Sequence, residues 1–353
     1  MRVGIVASAR FPIVEPFAGG LEAHTWSLAQ GLRTRGHEVT VFAAPGSDPA
    51  LGARELPVRY PTISDLARSD ISMTPEWWLQ EHHAYLSLML ELRESDLDVV
   101  HNNSLHYLPV AMAASLRAPV VTTLHTPPTP WLESAIQAPR HCPVVFAAVS
   151  RHTASAWRHV VPCATVVRNG VDTGRWRRGA GGGPAVWSGR LVPEKGPHLA
   201  AQAARLAGVP LRLAGPVLDT AYFDQMVRPW LGHDVEHVGH LRTDELVELV
   251  GAASVSLVTP CWEEPYGLVV AESLSCGTPV AGFARGALPE LVDSRQARLV
   301  APGDVTALAA AVLQAAELDR DQARAHAVST CSVEAMVDGY EALYRLPAAE
   351  RAA

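Results

Sequence analysis

Residues 168–184 read RNGVDTGRWRRGAGGGP, and this stretch divides the chain in two. An Asn-Gly turn, a basic run and a triple glycine cannot continue a strand or a helix, so the segment reads as a linker. Its glycines, 181–183, are not a phosphate loop, because they lead straight into PAVWSGR with no helix behind them. The same pattern stands on both sides of this break. Before it, RVGIVA, EVTVFAAPG, DLDVVHNNS, PVVTTLHTP and VVFAAVS read as strands, and LEAHTWSLAQGLRTRG, YLPVAMAASLRA and RHTASAWRHV as helices. After it, the strands PAVWSGR, VPLRLAG, DVEHVGH, SVSLVTP, TPVAGF and RLVAP are interleaved with the helices GPHLAAQAARLAG, DELVELVGAA, GLVVAESLSCG and VTALAAAVLQAAE. Alternation of this kind builds βαβ units and a parallel sheet, whose ligands sit beyond the C-terminal strand ends. The expected fold is therefore α/β with two Rossmann-like halves. The first spans 1–170, the second 171–330, and a tail over 331–353 carries the helical pattern VEAMVDGYEALY.

Composition agrees with two cores. The chain has 353 residues, 48% apolar and 18% charged. A net charge of −7, with no polybasic surplus in either half, argues against nucleic acid and against anionic lipid held by charge alone. Weak peripheral membrane contact through an apolar patch stays open. No apolar run is long enough for a membrane span, and MRVGIVASARF reads as a first strand rather than a secretory signal, so a cytoplasmic location is expected. Cys142, Cys163, Cys261, Cys276 and Cys331 lack CxxC or zinc spacing, and their odd number points to reduced, mostly buried thiols. Of 29 basic residues, one alone is lysine, Lys195.

Three segments carry chemistry. In AGGLEAH, residues 18–24, Gly19 and Gly20 open the first long helix, where free amides and absent side chains suit a bulky anion. In WSGRLVPEKGPHLA, residues 187–200, one loop holds Arg190, which can fork onto two phosphate oxygens, and Lys195, a compact point charge. A leaving diphosphate needs both, although two solvated surface cations would look the same in sequence. In PCWEEPYGLVVAESLSCGTPV, residues 260–280, Glu264 lies in a loop and Glu272 eight residues on in a helix begun near Gly267 and Leu268. Helical side chains lean toward their own N-terminus, so both carboxylates can face one pocket and accept bonds from vicinal hydroxyls. The alternative makes Glu264 a capping acid and Glu272 a helix-face charge.

WSGRLVPEKG, EPYGLVVAE, CGTPV and ALPELV together resemble family 4 of the retaining glycosyltransferases, of the glycosyltransferase group 1 type. The likeness extends in order through AGGLEAH, TLHT, AVSRHTASAW, VVRNGVD and APGD, and is strongest from 186 to 305. It implies the GT-B fold, two facing Rossmann-like domains with the C-terminal helix packing back toward the first. It also implies an enzyme that moves a sugar from a nucleoside-diphosphate sugar to a hydroxyl, with retention and with neither metal nor further cofactor. Under that resemblance Gly19, Gly20, Arg190, Lys195, Gly267 and Leu268 hold the donor diphosphate, and Glu272 the ribose. Glu264 and His125 meet the donor sugar as catalytic residues, and Gly239, His240 and Leu241 lie near the base. His101 and His106 would shape the acceptor side.

Some residues depart from this pattern. Ala287 stands in RGALPE, 285–290, where the family often pairs glycines, and would narrow that loop. Asp96 and Asp98 imitate a metal-binding pair but directly precede a strand, and read as a turn. Trp77, Trp78, His82 and His83 read as the packing face of an amphipathic helix, with an acceptor groove as the alternative. Competing functions on the same scaffold are a nucleotide-sugar epimerase, a phosphorylase-like enzyme and a non-catalytic sugar-nucleotide binder. A nicotinamide dehydrogenase would need GxGxxG after the first strand, where SARFPIVEPFAGG stands instead. Donor base, donor sugar and acceptor are not legible.

Overall fold

The computed structural model describes residues 1–56, 61–232 and 234–346. The first lobe is built on a seven-stranded parallel sheet with strands in the order β3-β2-β1-β4-β5-β6-β7. These are β1 Arg2–Val6, β2 Glu38–Ala43, β3 Ala53–Glu55, β4 Val99–Asn102, β5 Val120–Leu124, β6 Val144–Ala148 and β7 Thr165–Val166. The second lobe has six parallel strands in the order β10-β9-β8-β11-β12-β13. They are β8 Ala185–Ser188, β9 Leu211–Ala214, β10 Val235–Gly239, β11 Ser256–Val258, β12 Val280–Phe283 and β13 Ala297–Val300. Central strands are buried along their whole length, as in VVTTL of β5, which is why they read as continuous apolar runs. In each sheet the chain winds one way from the middle and then the other, so β1 lies beside β4, and β8 beside β11. Loops leaving such a reversal diverge and open a crevice. The fold class is the one expected.

The last long helix, Val333–Tyr344, belongs to the first lobe. Its Met336, Val337, Tyr340, Leu343 and Tyr344 share a core with Ile5, Leu28 and Val121. Two of its hydroxyls are tied into the sheet: Tyr344 lies 2.6 Å from His101 Nδ1, and Tyr340 accepts from Thr123 Oγ1 at 3.1 Å. Residues 347–353 of the expected tail lie outside the described residues.

The glycine-rich segment is less free than its sequence suggests. Gly181 and Gly183 donate their amides to the carbonyls of Gly251 and Ala252, at 3.0 and 2.8 Å. A side chain at Gly179 would meet the Gly251 backbone at 2.3 Å. Here glycine permits backbone to lie on backbone. Where the chain passes between lobes, Val171 pairs with Ser332 as a parallel bridge, so the outward and return crossings run side by side.

Several local expectations change. YLPVAMAASLRA forms only the helix Leu108–Ala111 and a 3-10 turn at Ala113–Ser115 rather than one helix. The helix Arg320–Thr330 shows no apolar period in its sequence, because it buries only Ala323 and Ala327 and is otherwise polar. The core face of helix Glu76–Leu92 is Ala84, Tyr85, Leu88, Met89 and Leu92, so Trp77, Trp78, His82 and His83 do not form it. All five cysteines are free, but only Cys276 and Cys331 are buried. Asp96 and Asp98 are both held by Arg2, at the N-terminal end of β1 and β4, away from the crevice. Among the described residues no helix is long and apolar enough to cross a membrane.

Candidate functional site

A cavity of about 190 Å³ lies between the lobes, where the two strand reversals face one another. Its second-lobe wall begins with Trp187 to Arg190, at the end of β8. The short turn Pro193–Lys195 then carries the lysine inward. Gly196 closes this turn with φ +63°, and a Cβ there would fall 2.3 Å from the Thr259 carbonyl. Glycine at 196 thus lets the lysine loop rest on the end of β11.

Lys195 and Glu264 form a contact pair. Lys195 Nζ stands 2.6 Å from Glu264 Oε2, and the side chains are 23% and 13% exposed. The same oxygen accepts the indole N–H of Trp262 at 2.9 Å, and the ammonium lies 5.0 Å from the centroid of that ring. The carboxylate is therefore fixed by two donors in a half-enclosed place, where charge-assisted bonds are strong. Its backbone is fixed too. Ala287 donates its amide to the Glu264 carbonyl at 2.8 Å, and Gly286, at φ +61°, lies against the Glu264 peptide. Ala287 is buried and makes this support, which is what the RGALPE variation amounts to here.

Arg190 Nη2 is 3.6 Å from Glu194 Oε1, and the Arg190 side chain also approaches the helix-opening Gly19. Beneath it Glu22 is buried, and burial raises its carboxyl above the usual range although Arg190 and Arg10 pull the other way. Two helix N-termini meet across the cavity: Gly20–Thr34 from the first lobe and Leu268–Ser275 from the second, the latter capped by left-handed Gly267 at φ +95°. Each presents unpaired amides and partial positive charge. A Cβ at Gly20 would make only an ordinary contact with Leu268, at 3.8 Å, so the protein's own packing does not require glycine there.

Glu272 lines the same cavity, and its carboxylate has no protein hydrogen-bond partner among the described residues. Burial pushes its carboxyl up to about 7 from 4.5. Between those values the folded protein holds a proton that the unfolded chain has lost, so stability falls as pH rises through that window. Glu272→Gln is therefore expected to melt a few degrees above wild type at pH 8. That advantage should vanish below pH 4.5, and thermal melts across pH check it.

On the remaining side a strap from the first lobe closes the cavity. His240 Nε2 bonds the Phe17 carbonyl at 3.0 Å. Glu15 takes Arg175 at 2.6 and 3.1 Å and the Thr243 hydroxyl at 2.8 Å. His240 and Leu241 line the cavity. Gly239 does not: it turns the chain at φ +89° and its carbonyl is used by the Gly215 amide.

His125 lies at the end of β5 and is not part of the lining. Its Nε2 is 2.7 Å from Asn103 Oδ1, and the buried ring of His24 packs edge-on at 4.8 Å. Burial, with His24 and His101 nearby, holds its imidazole well below the usual range and hence neutral. His101 is fully buried between Thr123 and Tyr344, so it is part of the core and does not shape an acceptor surface. His106 is half-buried, in a group of stacked rings. Trp262, Asn103, His24 and Glu22 were not singled out from the sequence. Trp262 stands next to the paired glutamates, the one signal that could have found it.

Facing parallel-sheet lobes with cations and helix N-termini around a central cavity are the architecture of a GT-B glycosyltransferase. A profile described as glycosyltransferase family 4 matches residues 18–175, and one described as glycosyl transferases group 1 matches 184–317. Glycogen synthase of Mycobacterium tuberculosis is 30% identical over 88% of this chain and 85% of its own. MMP α-(1→4)-mannosyltransferase of Mycolicibacterium hassiacum is 26% identical over 95% and 96%. Among solved structures, AviGT4, a glycosyltransferase involved in avilamycin A biosynthesis, has a TM-score of 0.73 at 26% identity over 98% and 97%. HepE of Anabaena, solved with UDP-glucose, has a TM-score of 0.73 at 20% identity over 98% and 100%. The chain belongs to the family 4, group 1 glycosyltransferases, and it is an enzyme of that kind.

Proposed function

We propose that the enzyme transfers a sugar from a nucleoside diphosphate to a hydroxyl acceptor, with retention of configuration and without a metal ion. The observation that carries this reading is the Lys195–Glu264–Trp262 group beside Arg190, set between two opposed helix N-termini. In this reading Arg190, Lys195 and the amides at Gly19, Gly20, Gly267 and Leu268 take the diphosphate. Lys195 has three donors, so it serves Glu264 and a phosphate oxygen together. Glu272 accepts from the ribose hydroxyls, which satisfy a carboxylate that the protein leaves without a partner. His240 and Leu241 flank the base.

In the reaction the bond between the anomeric carbon and the diphosphate oxygen breaks, and one to the acceptor oxygen forms on the same face. The acceptor's proton passes to the departing diphosphate. Arg190, Lys195 and the helix amides meet the charge that grows there, the role a metal ion fills elsewhere. Glu264 holds donor-sugar hydroxyls close to the reacting carbon. His125, with its Nε2–H directed to Asn103, keeps Nδ1 as an acceptor just outside the cavity, for a sugar that extends past its lining. Closure of the strap excludes water.

A thermal-shift panel of nucleoside diphosphates and their sugars tests the donor. One base should stabilise the protein by several degrees, and chelator should leave transfer unchanged. NMR of the product should show the donor's anomeric configuration. An epimerised donor, phosphate-dependent cleavage or tight binding without transfer or donor hydrolysis would replace this reading by one of the rivals.

A further inference from the structure

The first lobe carries a second group of functional side chains that the donor site does not use. Trp78 and His82, from helix Glu76–Leu92, stack at 5.2 Å and 11°. Trp131, opening helix Pro130–Gln137, stacks on Tyr107 at 5.6 Å and 26° and tilts against Trp78 at 6.1 Å. His106 stacks on Tyr107 at 4.7 Å, and the Tyr107 hydroxyl lies 3.0 Å from His82 Nδ1. Three separate elements thus form one continuous sheet of rings, with Trp131 59% exposed.

Its place follows from the strands. Tyr85, beneath His106, is anchored through its hydroxyl to the Ala7 carbonyl and the Ala9 amide, at the end of β1. His106 follows β4, and Trp131 comes six residues after His125 on the segment leaving β5. The rings therefore stand on the edge of the sheet that faces the cavity, on the first-lobe side of His125.

We propose that this array is the acceptor site and that it takes a neutral saccharide. This rests on the glycosyltransfer reading above. A pyranose has an apolar C–H face, which suits an exposed indole such as Trp131 flanked by half-buried rings, and a hydroxyl edge that needs donors and acceptors within the same patch. His106 supplies one. Its Nδ1 accepts the Leu108 amide at 3.2 Å, so the ring proton is on Nε2, which has no protein partner among the described residues. Charge separates this acceptor from an anionic membrane. From Asp65 to Glu81 the adjoining segment carries Asp65, Asp70, Glu76 and Glu81 against Arg68, with Arg10 acting on Glu81 from the loop after β1, which leaves the acids in excess. Phosphate headgroups are repelled there, and an uncharged polyol is not.

The test is quenching of tryptophan fluorescence in the full chain by malto-, cello- and manno-trioses, beside vesicles of phosphatidylglycerol, with nucleotide affinity measured in parallel. One trisaccharide is expected to bind wild type. Trp131→Ala should weaken it roughly 10-fold, by loss of a stacked face, with nucleotide affinity unchanged. Trp131→Phe should keep most of the affinity, and Trp77→Ala, exposed and outside the array, all of it. Equal trisaccharide affinity in wild type, Trp131→Ala and Trp78→Ala would overturn the proposal, as would binding of vesicles alone. Failure of the donor reading shows separately, as loss of nucleotide binding by wild type with the trisaccharide result intact.

Discussion

Lys195→Ala is expected to lower sugar transfer by about 10²–10³-fold, the range seen when one preorganised donor to a developing anion is removed. Two losses combine. The diphosphate loses its point charge, and Glu264 loses a partner at 2.6 Å, leaving the Trp262 indole as its remaining side-chain donor. The freed carboxylate then faces the incoming diphosphate as a like charge, so donor KM should rise while kcat falls. Lys195→Arg should not restore activity, because the longer, planar guanidinium cannot take the place of a compact ammonium that serves Glu264 and lies against the Trp262 ring. Initial rates at saturating acceptor decide this, with the melting temperature as a check on folding. Wild-type turnover in Lys195→Ala would remove the residue from the donor site. A double variant with Glu264→Gln should be far less damaged than the product of the single effects, since the two side chains act as one unit.

Gly286→Ala should be nearly as severe, although residue 286 touches no substrate in the proposed mechanism. Its φ of +61° disfavours any side chain, and a Cβ would lie 2.2 Å from the Glu264 carbonyl oxygen and 2.4 Å from its amide nitrogen. The loop must move, and Glu264 moves with it. A displacement of about 1 Å at such a group costs on the order of 10²-fold in rate. Gly303→Ala is the matched control. It carries the same conformational cost at φ +84°, but nothing lies within 4 Å, so transfer should persist. Equal activity of the two variants would show that the Glu264 peptide tolerates the shift.

What could be read from the sequence follows a physical line. Strands such as VVTTL and VVFAA announce themselves because both faces are buried, and the repeat of that pattern after residue 184 is enough for two lobes. The two-residue β7 and three-residue β3 are too short to show any period. Helix Arg320–Thr330 escaped because its burial falls on two alanines, whereas the helix Val305–Ala316 is apolar enough to be plain. In the site, residues sharing a loop with a special turn were legible: Arg190 and Lys195, Glu264, Gly267 and Glu272. Contacts between loops were not. Nothing in the order of residues says that Lys195 bonds Glu264 rather than standing between two carboxylates. Nor does it say that Asn103 lies under His125, or that Trp131 meets Trp78 across segments more than fifty positions apart. Such pairings are products of the sheet order.

The helix Val333–Tyr344 gives the first lobe a peculiar schedule. The sheet of that lobe is complete at Val166, yet Met336, Tyr340 and Tyr344, which pack on one of its faces, are made 170 to 178 residues later. At typical rates of synthesis this is a delay on the order of ten seconds. Through that interval Ile5, Leu28 and Val121 lack their covering layer and His101 lacks the Tyr344 hydroxyl, while the second sheet is still being made. On the ribosome, the half of the enzyme that begins first is thus finished last.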